Sequence, residues 1–163
     1  MNPPREPPSW IKLDRIDWLI LQELQANGCI TNVELAARVG LSAPPCLRRV
    51  RSLEKAGFVL GYHAQLNAKL LGFDLVAYAM VRLSSQAETD LMAFEGLVRR
   101  WPLVRECAML SGEIDFLLKC VAPDLTSFQN FVIRDLTTAP NVDSVRTALA
   151  LRMSKSEPGV PLT

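Results

Sequence analysis

The residues best suited to chemistry in this chain are basic, and they crowd into one short stretch, Leu41–Lys55, "LSAPPCLRRVRSLEK". On a helical wheel Cys46, Val50 and Leu53 fall at i, i+4 and i+7 and form an apolar back. Pro45, Arg48, Arg49 and Ser52 then point outward, with Arg51 and Lys55 beside them. Such a helix fits the major groove of a nucleic-acid duplex, where guanidinium groups reach phosphates or guanine edges. Phosphate contacts supply affinity and position the helix, and only base contacts specify sequence. The expected assignment gives Asn32 and Ser42 to phosphates, Arg48 and Arg49 to base edges or phosphates, and Arg38, Arg51 and Lys55 to phosphates. Pro44 and Pro45 in the first turn, with Ser52, complete the candidate DNA-facing set. A basic helix face is also an ordinary solvated surface. The short helix and tight turn that precede this one favour the groove.

Other reactive side chains are scattered. Cys29, Cys46, Cys107 and Cys120 show no metal-ligand spacing and sit in apolar runs, where a thiol acts as a small hydrophobe. His63 is the only histidine. It falls where a wing is expected and suits a phosphate neighbour or a packed residue. No Cys-His, Ser-His-Asp or metal-spaced cluster occurs. The expectation is therefore no metal, no cofactor and no enzymatic activity.

The elements that would position the basic helix are legible. Ile16, Leu19, Ile20 and Leu24 give helical spacing from Asp14 to Ala26, with Asn27-Gly28 as the stop. Thr31 or Asn32 can cap a second short helix carrying Val33, Leu35, Ala36 and Val39, ended by Gly40. Ser42 can cap the third, which Gly57 ends. The prolines are tolerable in its first turn because those N–H groups have no intrahelical partner. Phe58–Leu66 reads as extended, with a β-hairpin wing turning at Gly61. From Leu75 the pattern changes. Strands are expected at Leu75–Leu83, Val104–Leu110, Phe116–Val121 and Val142–Leu151. Helices are expected at Thr89–Trp101 and over Leu125, Phe128, Val132 and Leu136. The order βαββαβ is the split βαβ, or ferredoxin-like, arrangement.

The expected fold class is thus α+β: a winged helix-turn-helix at 13–66, a linker at 67–74, and a βαββαβ effector and oligomerisation domain at 75–155. A Pro-rich tail, 1–12, precedes them, and a C-terminal tail, 156–163, follows. The chain has 163 residues and a net charge of +1. Up to Tyr62 there are eight Lys and Arg against six Asp and Glu, and ten against eleven beyond it, so the basic character is local. Neither a signal peptide nor a run of about 20 apolar residues is visible, and the expected location is the reducing cytoplasm. Val76, Tyr78 and Met80 alternate with Ala77, Ala79 and Val81, so both sheet faces are apolar. Two helices cover only one face, and the natural cover for the other is a second subunit.

The segment Leu13–Asn67, most of all Leu13–Leu24, Asn32–Leu41 and Cys46–Gly57, resembles the DNA-binding domain of the Lrp/AsnC, or feast/famine, family. "SGEIDFLLK", Ser111–Lys119, resembles that family's ligand-domain turn, S-G-x-x-D-[YF]. The resemblance implies a transcription regulator whose dimers commonly assemble further, often to octamers, and whose effector is commonly an amino acid bound near this turn. Carried over residue by residue, it implies effector contacts from Met109, Leu110, Gly112 and Asp115, with Thr147 and Ala148, near Arg146, from the last strand. Asp115 would accept from the ammonium, and Gly112 would let backbone N–H groups approach the carboxylate. The same turn is ordinary hairpin chemistry. Many relatives carry a proline then a hydroxyl residue where Ala43 and Pro44 stand, and often a larger side chain at Ala148.

Two other readings compete. Sirohaem decarboxylases share the two-domain fold, but a chain with one histidine poorly supplies their acid–base groups. An architectural protein without effector would carry a broader basic surface than this patch.

Overall fold

A computed structural model describes residues 12–157 and 159–162. The proline-rich tail expected at 1–12 lies outside the described residues except for Lys12. The chain divides into two compact units. One runs to Gln65 and takes in the C-terminal segment from Lys155; the other is Leu66–Ser154. The segment expected as a separate C-terminal tail is therefore part of the first unit.

The first unit holds three helices, α1 (Arg15–Ala26), α2 (Asn32–Arg38) and α3 (Ala43–Lys55). Capping boxes open the first two: Asp14 and Asp17 serve α1, and Thr31 and Glu34 serve α2. Both α2 and α3 close with paired reverse hydrogen bonds. Leu41 N–H donates to the Ala36 carbonyl at 2.8 Å and Phe58 N–H to the Leu53 carbonyl at 3.0 Å, with Gly40 and Gly57 as the αL residues. Helical periodicity brings Ile20 and Leu24, Leu35 and Val39, and Cys46, Val50 and Leu53 into one core.

The expected wing hairpin is not formed. Residues 59–66 carry no strand, and Gly61 makes no positive-φ turn. Val59 packs on the helical core, and the Tyr62 hydroxyl donates to Glu54 Oε1 at 2.9 Å. The stretch is thus drawn along α3 with no partner strand among the described residues.

In the second unit one 3-10 turn, Lys69–Leu71, precedes β1 (Leu75–Leu83), α4 (Glu88–Val98), β2 (Val104–Met109), β3 (Phe116–Ala122), α5 (Leu125–Phe131) and β4 (Val142–Leu149). The sheet order is β2-β3-β1-β4, antiparallel throughout. This is the βαββαβ topology. The last helix departs from expectation, since α5 passes into a π-helical stretch, Val132–Leu136. The final strand stops at Leu149, and Leu151 is almost wholly exposed.

Residues Ala77, Ala79, Val81 and Leu83 of β1 and Phe116, Leu118, Cys120 and Ala122 of β3 lie buried under Phe94, Val98, Phe128, Phe131 and Leu136. The other face carries Val76, Tyr78, Met80, Leu117 and Val121, all half-buried. On that face Lys119 pairs with Glu106 at 2.6 Å.

Candidate functional site

The recognition-type helix is built as its sequence demands. Cys46, Val50 and Leu53 are buried, and Arg48, Arg51, Ser52 and Lys55 are exposed. Arg48, Arg51 and Lys55 have no carboxylate within ion-pair distance among the described residues. Cys46 is core filler, and burial pushes its thiol pKa up, away from thiolate chemistry.

At the start of α3, Ser42 is the N-cap but makes no side-chain capping bond, which leaves its hydroxyl available. The two prolines lack N–H groups, and Cys46 N–H is taken by the Ser42 carbonyl at 3.2 Å. Pro44 and Pro45 therefore offer shape and apolar contact but no hydrogen bond to an anion.

Two sequence assignments change, and a third residue gains a partner. Arg49 does not face outward with Arg48. Its Nη1 donates to Asp14 Oδ2 at 2.6 Å and to Asp17 Oδ1 at 2.7 Å, pinning α3 to the first turn of α1. These bonds raise the guanidinium pKa further. Asp14 is held below the ordinary aspartate range, first by the Asp17 N–H and then by Arg49. Asn32 is turned inward: its Nδ2 donates to the Ala43 carbonyl at 2.8 Å, tying α2 to the start of α3. Arg38 remains exposed but pairs with Glu23 of α1 at 2.7 Å. A pair that exposed holds loosely, and a phosphate can replace its carboxylate.

In the ligand-type turn, Met109 and Leu110 are exposed and Gly112 has φ 140°, a region closed to other residues. Asp115 is buried. Its Oδ2 accepts from Leu83 N–H at 2.6 Å, while its N–H donates to the Val81 carbonyl at 2.9 Å. The carboxylate thus closes the end of β1. Thr147 pairs with Ala79 and Ala148 with Tyr78, so the two lie on opposite faces of the sheet. Only Ala148 shares the open face with Tyr78.

Five residues missed by sequence reasoning lie in or beside the turn: Met80, Arg82, Glu113, Ile114 and Ser144. Arg82, Glu113, Ile114 and Ser144, with Met80 and Arg146, line a shallow depression on the open face. It sets one carboxylate against two guanidinium groups, the charges a zwitterion requires. Parity was the available signal, since Met80 and Arg82 alternate with the buried face of β1.

Comparison with known proteins finds two families in the same order, the second match running past Ser154 into the segment that packs with the first unit. A winged helix-turn-helix DNA-binding profile matches residues 13–59, and the Lrp/AsnC ligand-binding domain profile matches 76–160. A protein named leucine-responsive regulatory protein from Rhizobium meliloti is 61% identical over 145 residues, 89% of this chain and 93% of that one. Its Escherichia coli namesake is 41% identical over 143 residues, 88% of this chain and 87% of that one. Among solved structures, a transcriptional regulator from Neisseria meningitidis in complex with L-Met superposes with a TM-score of 0.88 at 39% identity, covering 93% of this chain and 97% of that one.

Proposed function

The chain belongs to the Lrp/AsnC family of transcriptional regulators, and from that premise we propose that α3 enters the major groove of duplex DNA while an amino acid bound at the second unit modulates activity. Arg48, Arg51, Ser52 and Lys55 contact the groove and its phosphates, with Ser42 at the helix start and Arg38 at the rim. The observation that carries this reading is the basic face of α3, unpaired among the described residues, over a buried apolar back. Retention of labelled duplex at low salt tests it. Affinity should fall as salt rises, with a slope set by the number of phosphates neutralised. A protein that ignores duplexes at low ionic strength overturns it.

For the effector, the depression beside Ser111–Asp115 supports an amino-acid zwitterion. Glu113 would take the ammonium, and Arg82 and Arg146 the carboxylate, with Met80 and Ile114 against the side chain. The regulator solved with L-Met has its ligand in its own structure; here L-methionine and L-leucine are the probes to try. Calorimetry with Arg146→Ala should show weaker binding than the parent. Equal binding would remove this pocket from the reading.

Assembly follows from the half-buried apolar face, Val76, Tyr78, Met80, Leu117 and Val121. A second copy covering it gives a homodimer suited to paired half-sites on DNA, and family resemblance extends this to octamers. A monomer mass by light scattering would contradict it. The relatives named above are regulators, and the function proposed here is regulatory, not enzymatic. A cytoplasmic location suits that function, and no described helix is long and apolar enough to cross a membrane.

A further inference from the structure

Helix α1 is gripped at both ends. Its first turn holds Arg49 of α3 through Asp14 and Asp17. Its second half holds the chain's own C-terminal segment. Gln25 Nε2 donates to the Val160 carbonyl at 2.8 Å, and Val160 N–H donates back to Gln25 Oε1 at 2.9 Å. One turn earlier, Gln22 Nε2 donates to the Leu162 carbonyl. A primary amide has the same donor and acceptor pair as a peptide group, so Gln25 receives the segment much as a neighbouring strand would. Trp18, Gln22 and Gln25 stand at i, i+4 and i+7 and share one face of α1.

The segment is fitted to this seat. Gly159 has φ 85°, and a Cβ there would fall on the Gln25 amide, well inside van der Waals contact. A side chain at 159 would suffer the backbone strain and would also push Gln25 off Val160. The segment begins at Lys155, within a few residues of the end of β4 at Leu149. The polypeptide leaving the ligand-binding half is thus built into the DNA-binding half, on the helix that fixes the recognition helix.

We infer that the segment 155–157 and 159–162 forms a strap through which the state of the ligand-binding half reaches the recognition helix, with α1 as the lever and Arg49 as a positioning residue at its far end. Releasing the strap loosens α1, and α3 then loses the carboxylates that set its pose. This regulatory step rests on the DNA-binding reading of α3 given above. It requires no change in the residues that face DNA. A ligand acts only as far as it favours the strapped or unstrapped state.

Two full-length variants test it, Gly159→Val and Gln25→Ala; Gln25 is exposed, so the second leaves the core intact. Hydrogen exchange should speed about tenfold at amides of both α1 and α3, as local opening becomes easier. Anisotropy on a labelled duplex from the chain's own upstream region should show affinity about fivefold weaker, the scale of one or two lost hydrogen bonds. Any response of the parent to L-methionine or L-leucine should shrink in both variants. Parental exchange rates in both variants overturn the strap. So does faster exchange confined to α1, or faster exchange with parental DNA affinity. Arg51→Ala separates the two ideas, because it weakens duplex binding through the contact face while exchange stays at the parental rate. A parent that binds no duplex sinks the DNA reading, while exchange in α3 still judges the strap.

Discussion

The two ends of this regulator treat their charged residues differently. Helix α3 spends one arginine inward, Arg49 on Asp14 and Asp17, and still presents Arg48, Arg51 and Lys55 to solvent. The Ser111–Asp115 turn has two carboxylates, Glu113 and Asp115, and it spends the motif's own, Asp115, on the Leu83 N–H. A helix distributes side chains around its axis, so packing and recognition draw on different residues. A turn joining an edge strand to a central one has no such spare face. Motif residues on a turn are therefore more readily taken up by the fold, and in the reading proposed above the ligand contacts fall to Glu113, Arg82 and Arg146, which line the depression.

The largest expected effect lies on the helix. Arg48→Glu with Arg51→Glu should weaken duplex binding by roughly a hundredfold or more at low salt, since two phosphate neutralisations are lost and two repulsions gained. The salt slope of binding should flatten, and thermal unfolding should stay near the parent's. Unchanged retention on DNA would erase the contrast between the two regions, leaving both as purely structural.

Next comes the turn. Asp115→Ala should cost about 1–3 kcal/mol of stability, because the buried Leu83 N–H loses its acceptor. Urea denaturation measures this directly. Ligand binding by the folded fraction should persist. A variant of parental stability that no longer binds the probe amino acids would restore Asp115 to the pocket.

Arg49 sharpens the comparison within α3 itself. Its side chain is one-third exposed, and those of its partners Asp14 and Asp17 are 50% and 17% exposed. Solvent screening holds the pair to about 1 kcal/mol. Arg49→Met should therefore lower stability modestly and weaken DNA binding without changing its salt slope. A flatter slope would mean that Arg49 touches phosphate after all.

Most of the fold was legible because burial leaves periodic traces. The three N-terminal helices, the strand at Leu75–Leu83 and the βαββαβ order all follow from apolar spacing and from Gly and Ser or Thr punctuation. The winged helix-turn-helix class was legible, but the hairpin at Gly61 was not a sound expectation, because Phe58–Leu66 is apolar and extended while nothing in sequence announces that Tyr62 will bond Glu54. Inward turns of Asn32, Arg49 and Asp115 were hidden for a related reason. A polar side chain bonded to the backbone or to a distant helix looks in sequence like one waiting for a ligand. The clue for Arg49 was present in "LDRID", whose two aspartates at i and i+3 open α1 and lie side by side. The strap was illegible, since Gln22 and Gln25 have no periodic partner in the segment they hold.

Acid offers the finest test. Asp14 titrates below its ordinary range in the folded chain because the Asp17 N–H and Arg49 favour its charged form. A carboxylate with a lowered folded pKa contributes stability that is fully present above its unfolded value, near pH 4, and lost as pH falls through the folded one. Asp14→Asn should therefore be slightly less stable than the parent at neutral pH, and the gap should close on acidification below about pH 4. Asp124, lowered by the Ser127 N–H that it caps in the other unit, should lose its own contribution over the same range. Only the Asp14 change touches the Arg49 clamp. Urea midpoints across that range, set beside duplex affinity at neutral pH, then separate the two units. Asn at 14 should disturb both stability and DNA binding, and Asn at 124 stability alone. A DNA defect from Asp124→Asn equal to that from Asp14→Asn would show that cap loss anywhere weakens binding, and the clamp would lose its special standing.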